Sequence, residues 1–435
     1  MRTNTNKCKL LSIIIVGFLM LLGTVNLSAE GTRTRQRESK EAQKAFASAD
    51  LLTEEDFEYD LTENGKGIRL TKYIGKSSKI RIPDEIDDMP VVELGASFFE
   101  SGYYDDYGYW RSNKFDELIE VVYIPDSVEK ICKFEGFKKL KYIKLPEKLK
   151  EIPTDGFASC YSLEEIYIPD SVRSIGRNAF MCSGLKSIDF PSKVVFTSDS
   201  QYLKPTSICS SCNKLTSASL PADLTEIPEG MFQNCESLIS IEIPSKVIVI
   251  GAGAFSYCKS LSSIILPPNL ISIGNNAFSE CTSLSEFVIP NTVKSLGDAV
   301  FDNSSIKTLS LPDTVVEIGN NKKVKENGSI NLGNTSFDSL RLPDWITQLF
   351  VIPKGTKVFN FPTSLKTCYL GFSIYGNSSA YYLEELEDII IPDSLKSIDF
   401  SKADFSSAKL PIKTQKRLRD LGYTGKFAGT RPAKK

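Results

Sequence analysis

The chain has 435 residues, of which 41% are hydrophobic and 24% are charged, a composition typical of folded globular proteins. Its net charge of −2 gives no electrostatic basis for a nucleic-acid partner or for binding an anionic membrane surface. The sequence contains no histidine, so catalysis by Ser–His–Asp or Cys–His arrangements is excluded and the commonest metal ligand is missing. We therefore expect no catalytic residues, no metal site and no cofactor.

The N-terminal segment, 1–29, predicts an export signal. Three basic residues precede a strongly apolar run, 10–22, and small residues follow it up to Ala29, which is the pattern of a cleavable signal peptide. A transmembrane anchor is the alternative interpretation, but the run is too short to span a bilayer comfortably. We expect a secreted or cell-surface protein with no stable membrane span after cleavage. The charged segment that follows, 30–55, predicts a linker or a short helix.

From 56 to 412 the sequence repeats with a period near 23 residues. The repeat is marked by an apolar-x-apolar-Pro step, which predicts a short strand ended by proline, because proline has no N–H to donate to a neighbouring strand. The markers are Pro83, Pro125, Pro146, Pro169, Pro191, Pro221, Pro244, Pro267, Pro290, Pro312, Pro343, Pro362, Pro392 and Pro411. Since one unit is too small to bury its own apolar edge, stacked units must share a continuous core.

The side-chain pattern within a unit predicts which residues face the core. In the unit that begins at Leu238, Ile241 and Ile243 alternate inward, whereas Ser240 and Glu242 face solvent. Phe255 and Cys258 fill the far side of that unit before Leu261 starts the next one, where the same alternation places Ser263 and Ile265 outward. Outward positions of this kind are the ones expected to vary with function.

The repeat pattern LxxIxIPxxVxxIGxxAFxxCxS, seen most clearly in LTEIPEGMFQNCESLISIEIPSKVIVIGAGAFSYCKS, resembles the BspA-type leucine-rich repeat surface proteins over about residues 57–412. The resemblance implies an α/β-class leucine-rich repeat solenoid that is predominantly β, with short parallel strands, turns and 3₁₀ segments. With 14 proline markers, we expect a right-handed solenoid of about 14 coils with insertions. Members are secreted or surface-displayed, mostly bacterial, associated with adhesion, and without a common enzymatic activity.

The ends of the solenoid carry their own signals. The segment 56–117 predicts an N-terminal cap with an aromatic insertion, and 413–435 predicts a C-terminal helical cap and tail.

Six cysteines stand three residues before a leucine of successive units, which places them in one column of the stack: Cys160, Cys182, Cys212, Cys235, Cys258 and Cys281. We favour a structural role as small buried side chains. Disulfides are the alternative, since stacked Cα atoms lie about 5 Å apart, although parallel Cβ vectors oppose a bond. A metal site or a reactive thiol is least favoured. Cys209 has redox spacing to Cys212, but it takes the slot that phenylalanine holds in later units.

Aromatic residues are concentrated near the N-terminal end of the solenoid. A long marker gap contains the aromatic loop 102–115, and successive strands carry further outward side chains. The candidate ligand-contact residues are Tyr103, Tyr104, Tyr107, Tyr109, Trp110, Tyr123, Tyr142, Lys144 and Tyr167. Tyrosine and tryptophan dominate binding hot spots, and we expect Tyr109 and Trp110 to be exposed. The alternative is that the loop folds back as a cap over the first coils.

The sequence therefore predicts a non-catalytic exported protein that binds an extracellular protein or glycan through the solenoid, in surface adhesion or host and cell interaction. The alternative function is a glycan-binding module of a polysaccharide-use system, since aromatic rings also suit sugar faces.

Overall fold

The structure of the protein is a computed structural model. It describes residues 38–99, 115–198, 203–315, 387–391, 405–406 and 408–428, and the backbone of the strands at 103–104, 110–111, 317–318, 339–341, 350–351, 358–360, 367–371 and 397–399. The predicted export signal, 1–29, lies outside the described residues.

The described chain opens with a short helix, α1, at Lys40–Ala47. Ser39 caps it, because its hydroxyl accepts the N–H of Ala42 at 3.1 Å, which satisfies a backbone donor that has no partner within the helix. Ala42 and Phe46 form its buried face. A 3₁₀ turn at Glu54–Asp56 follows. The helix thus offers one apolar stripe to the strands beneath it.

A small mixed sheet begins the repeat region. Its strands are β2 (Phe57–Leu61), β3 (Ile68–Tyr73), β5 (Glu85–Ile86) and β6 (Met89–Leu94), in the order β2-β3-β6-β5. The β2 and β3 strands form an antiparallel hairpin, whereas β3 and β6 pair in parallel. A two-stranded hairpin, β7 (Tyr103–Tyr104) and β8 (Trp110–Arg111), lies in the predicted aromatic insertion.

Two columns of short parallel strands follow. Ladder A consists of the strands that end at the proline markers, preceded by β1 (Asp50–Leu51), which pairs with its first member. Its members are β4 (Lys79–Arg81), β9 (Val121–Tyr123), β10 (Tyr142–Lys144), β13 (Ser187–Asp189), β15 (Ser217–Ser219), β17 (Ser240–Glu242), β19 (Ser263–Ile265), β22 (Thr308–Ser310), β24 (Ser339–Arg341), β26 (Val358–Asn360) and β28 (Asp388–Ile390).

Ladder B is formed by the strands that follow each marker. Its members are β11 (Glu151–Ile152), β12 (Ser174–Gly176), β14 (Val195–Thr197), β16 (Glu226–Ile227), β18 (Val249–Ile250), β20 (Ser272–Ile273), β21 (Ser295–Leu296) and β23 (Glu317–Ile318). A further parallel sheet contains β25 (Phe350–Val351), β27 (Thr367–Gly371) and β29 (Ser397–Asp399). In both ladders like residues stand opposite one another, as Ile241 does Ile264 and Ile250 does Ile273, so the repeat period sets the register.

The chain is thus a mostly parallel β-solenoid with little helix, as the sequence predicted. It has about nine turns rather than about 14. The markers overcount in part, because not every one of them closes a full coil. Pro83 follows β4 beside the mixed sheet, and Pro411 caps the C-terminal helix.

The far side of each coil is built from single turns. The N–H of Phe255 donates to the carbonyl of Ala277 in the next coil, and the N–H of Cys258 donates back to Phe255. Successive backbone N–H groups donate either to a carbonyl of the next coil or to one of their own turn. A run of consecutive 3₁₀ hydrogen bonds therefore does not form there. Among the described residues the 3₁₀ helix at Glu54–Asp56 is the one assigned.

Phenylalanines form the centre of the core. Phe232, Phe255 and Phe278 stack face to face, with ring centroids 5.7 and 5.4 Å apart. The stack is absent at Cys209, which holds the phenylalanine slot of its coil, and there Phe190 and Phe196 pack edge to face at 5.2 Å instead. That coil therefore fills its core from the strand side rather than from the far side.

A second helix, α2 (Ile412–Asp420), follows the last described strand of ladder A. Thr414 donates from its hydroxyl to the carboxylate of Asp388 on β28 at 2.6 Å, and Leu418 is buried. Phe405 and Tyr423 pack edge to face at 5.0 Å beneath it. Within the described part of the chain, no helix is both long and apolar enough to cross a membrane.

Candidate binding surface

Helix α1 lies over part of the predicted aromatic patch. The ring of Phe46 packs edge to face on Tyr123 with centroids 6.1 Å apart. The guanidinium of Arg81 lies 4.1 Å from the Tyr123 ring centroid and donates to the Phe46 carbonyl at 2.7 Å, which joins a cation–π contact to a hydrogen bond. Tyr142 packs against the same small cluster. Both tyrosines are therefore half-buried under the helix.

Lys144 and Tyr167 lie beside this cluster. The register places Lys144 opposite Tyr123, and the Lys144 ammonium lies 5.1 Å from that ring while it also pairs with Asp126. Burial raises the pKa of Asp126, but the Lys144 ammonium and the Glu147 backbone N–H outweigh it, so the pKa is lowered. Tyr167 is half-exposed. Lys144 thus contributes to packing between coils.

The aromatic loop is described only as backbone. Tyr103 stands opposite Arg111 and Tyr104 opposite Trp110 in the β7–β8 hairpin. Tyr107 and Tyr109 lie outside the described residues. Exposure of Tyr109 and Trp110 therefore stays a prediction.

Beyond the helix, the outward side of ladder A is open. We call this the open face, and its residues are Ser187, Ser217, Ser240, Glu242, Ser263, Ile265, Glu286, Val288, Thr308 and Ser310, all exposed. Small hydroxyl side chains cover most of it, and Glu242 and Glu286 add negative charge. Because parallel strands present flat, regularly spaced side chains, this face offers a broad contact area.

Two aliphatic side chains interrupt the polar pattern of the open face. Ile265 is 84% exposed, and Val288, one repeat period later, is 81% exposed. The outward position of Ser263 and Ile265 predicted from the repeat is confirmed. Val288 was missed, although the 23-residue period places it directly after Ile265 in the stack.

The cysteine column lies away from this face, within the core. Five of its six thiols are buried and Cys182 is half-buried, and all eight cysteines of the described chain are free. The Cys258 thiol donates to the carbonyl of Phe232 at 3.2 Å, and the Cys281 thiol donates to that of Phe255 at 3.2 Å. Each bond reaches back 26 residues into the preceding coil. Sequence reasoning did not find these bonds, because periodicity aligns residues without showing which carbonyls lack a donor.

Burial makes the core thiols weak acids, except that of Cys212, whose pKa is lowered because hydrogen bonds with Cys209 and Ser183 outweigh burial. It raises the pKa of Cys281 from 9.0 to about 12 and that of Cys209 well above its ordinary value. A thiol that stays protonated is a poor nucleophile and a poor metal ligand. No group of three His, Cys, Asp or Glu side chains is placed to hold a metal ion in the described part of the chain.

The sequence matches a known repeat family. A model of the BspA type leucine rich repeat region matches residues 112–208 and 205–322, with six copies. No curated protein matches the sequence.

Several solved structures are similar. A leucine-rich repeat protein from Bacteroides ovatus is 20% identical with a TM-score of 0.61, over 87% of this chain and 100% of that one. The T. pallidum leucine rich repeat protein is 30% identical with a TM-score of 0.40, over 49% and 91%. A leucine rich cell surface protein from Faecalibacterium prausnitzii is 22% identical with a TM-score of 0.46, over 87% and 98%. The likeness to the Bacteroides ovatus protein shows the solenoid fold.

Proposed function

Since this chain belongs to the BspA-type leucine-rich repeat family, we propose that it is a non-catalytic exported protein that binds an extracellular protein partner through the open face. A repeat solenoid supplies an extended surface of this kind, and its function resides in the outward side chains. The observation that carries the proposal is the exposure of Ile265 and Val288 on neighbouring coils.

Two aliphatic side chains exposed on neighbouring coils form an apolar site that a partner can cover. Covering apolar surface contributes about 25 cal/mol per Å², and a few such anchors within a polar surround carry most of the energy of a typical protein interface. The serines around Ile265 and Val288 are small enough to let a partner backbone approach closely. The face therefore combines an apolar anchor with hydrogen-bonding groups at its rim.

The export part of the proposal rests on the N-terminal segment, 1–29. Basic residues, an apolar run and a small-residue site ending at Ala29 follow the order of a signal peptide. N-terminal sequencing of the protein recovered from the outside of expressing bacterial cells should begin at Glu30. A chain that retains Met1 and stays in the membrane fraction would contradict export by cleavage.

A panel experiment tests the function. The chain from residue 30 to 435 is applied to immobilised host matrix proteins and, separately, to a glycan array, with binding followed by interferometry. We expect saturable binding to at least one protein and a weaker response to glycans. A signal confined to the glycan array would favour the polysaccharide-use alternative, with the Tyr104 and Trp110 hairpin as its site.

A further inference from the structure

Ladder B is interrupted at one coil boundary. The β14 and β16 strands follow one another in the stack, yet they share no strand pairing within the described residues. The other two sides of the same boundary stay closed, because β13 pairs with β15 and the N–H of Cys209 donates to the carbonyl of Met231 at 2.9 Å. The two coils are therefore joined on two sides and parted on the third.

A proline accounts for the missing hydrogen bond. In closed coils a glycine N–H donates to the strand before it, as Gly274 does to Ile250 at 2.8 Å and Gly297 to Ile273 at 2.7 Å. Pro228 stands where the glycine would be, and it has no N–H. The carbonyl of Phe196, which corresponds to that of Ile250, thus receives no donor from this position.

A second proline shows that this substitution alone does not open the core. Pro153 holds the same slot after β11, which pairs with no strand of the preceding coil within the described residues. There Leu149 and Ile152 remain 0% exposed. The segment that contains β14 is also longer than one repeat, since Pro191 and Pro221 are 30 residues apart. The proline and the longer segment together part the two coils.

The parted coils expose core positions. Phe196 and Leu224 are only partly buried, whereas Ile250 and Val247, which hold the same slots in a closed coil, are 0% exposed. The resulting cleft has a volume of about 460 Å³ and an apolar floor. Its charged rim is formed by Lys193, Lys204, Asp223, Glu226 and Glu229.

The charges of the rim are divided between its two sides, with Lys193 and Lys204 in the segment around β14 and the acidic residues on the β16 side. Asp223 pairs with Lys246, which lowers its pKa, and Lys193 contributes to the same shift. Glu226 and Glu229 are exposed and have no ion pair within the described residues. The β16 side of the cleft therefore offers two carboxylates to a bound cation.

We propose that this cleft binds an extended peptide of alternating aliphatic and basic residues, which adds as a strand along the free edge of β14. Unpaired strand edges bind peptides through the backbone. Side chains of a strand alternate between its faces, so the aliphatic ones meet Phe196 and Leu224 while the basic ones meet Glu226 and Glu229. The cleft is separate from the open face of ladder A, and its failure to bind would leave the proposal for that face standing.

Hydrogen exchange with a synthetic heptapeptide of alternating lysine and valine tests this site. Saturating peptide should slow amide exchange in β14 and β16 about tenfold, because added strand bonds protect edge amides. A heptapeptide of alternating glutamate and valine should bind about tenfold more weakly, since it meets the carboxylates of the rim. No protection by the lysine peptide at millimolar concentration, or protection elsewhere on the chain, would overturn the proposal.

The proline provides a matched pair of variants. Pro228→Gly restores the N–H that closed coils use, so it should weaken the lysine peptide about tenfold or more by closing the ladder. Pro153→Gly makes the same change at a boundary where the core is covered despite the proline, and it should leave the affinity unchanged. An equal loss of peptide affinity in both variants would place the peptide outside the cleft. So would an unchanged affinity in Pro228→Gly, provided that its unfolding midpoint matches that of the wild type.

Discussion

At the scale of single residues, each buried column cysteine fills a small apolar slot and donates to a carbonyl of the preceding coil. A buried polar group without a partner costs about 1–3 kcal/mol, so the weak thiol donor is useful there. Ser304 occupies the same slot one coil after Cys281, and its buried hydroxyl has no hydrogen-bond partner within the described residues. The longer C–S bond explains why sulfur reaches a carbonyl that oxygen does not.

Ser304→Cys should therefore stabilise the protein. We expect the free energy of unfolding to rise by about 0.5–1.5 kcal/mol, the worth of one hydrogen bond, measured by urea titration. Ser304→Ala separates two causes, since it removes the unsatisfied hydroxyl without adding a donor. A cysteine variant no more stable than the alanine variant would show that the thiol bond adds nothing.

Thiol accessibility should differ along the column. Cys182 is half-buried whereas Cys258 and Cys281 are buried, so Cys182 should react first with an aromatic disulfide reagent in the folded protein. Mass spectrometry of the labelled protein identifies the site, and full labelling in guanidinium chloride is the control. Labelling of Cys258 as fast as Cys182 would contradict the packing described here.

The column illustrates what the repeat can and cannot predict. The period places each of the six cysteines at a fixed distance before a leucine. In the structure Ser183 follows Phe180 as Cys160 follows Phe157, so Cys182 lies one residue before the column slot. It did not predict that Cys182 would be more exposed than the others, since counting from the leucine hides that the turn from Phe180 to Leu185 is one residue shorter than that from Phe157 to Leu163.

At the scale of elements, helix α1 decides how much of the predicted aromatic patch is accessible. The charge pattern of 30–55 indicated a linker or a short helix, but local sequence does not encode a docking position. That position follows from the fit of Phe46 to Tyr123 and Arg81, which are distant along the chain. The same limit applies to the cleft, because the effect of Pro228 depends on its position opposite Phe196 in the stack, which local sequence does not encode.

Phe46→Ala should release helix α1 from the sheet. The helix is too short to be stable alone in water, and the loss of a buried ring of this size costs about 3–5 kcal/mol. Amide exchange in Lys40–Ala47 should rise about tenfold or more, with little change in the solenoid. Lys40→Ala, at an exposed position of the same helix, is the control. Unchanged exchange in Phe46→Ala would mean that other contacts hold the helix.

At the scale of the whole molecule, the stacked core predicts a loss of stability at alkaline pH. Burial raises the pKa of Cys281 and Cys132 from 9.0 to about 12. The unfolded chain therefore ionises first, and it binds fewer protons than the folded chain between those two values. The stabilisation is complete below pH 9 and is lost as the pH rises toward 12.

Urea titrations at a series of pH values check this. The free energy of unfolding should be nearly constant from pH 7 to 8.5 and should fall above pH 9. Cys281→Ala lowers the number of buried thiols and should make the fall shallower. A stability that rises above pH 9 would contradict thiols that are protonated in the folded state.

The architecture itself was predictable, because a short period with a proline at each strand end admits few structures other than a solenoid. The number of turns was not, since Pro411 fits the marker pattern but caps a helix and closes no coil. The open face was predictable only in part. Its alternation of inward and outward residues followed from the pattern, whereas the covering of its N-terminal end by α1 did not.

The central claim is that the open face of ladder A binds a protein partner through Ile265 and Val288. The most direct test compares the wild-type chain with Ile265→Ser/Val288→Ser on the immobilised matrix proteins, because serine already occupies neighbouring outward positions of ladder A and leaves the strands intact. Ile412→Ser is the control, since Ile412 is 85% exposed and lies on α2. We predict that the double variant raises the dissociation constant about tenfold or more while the control does not. Equal binding by the wild type and the double variant would contradict the account.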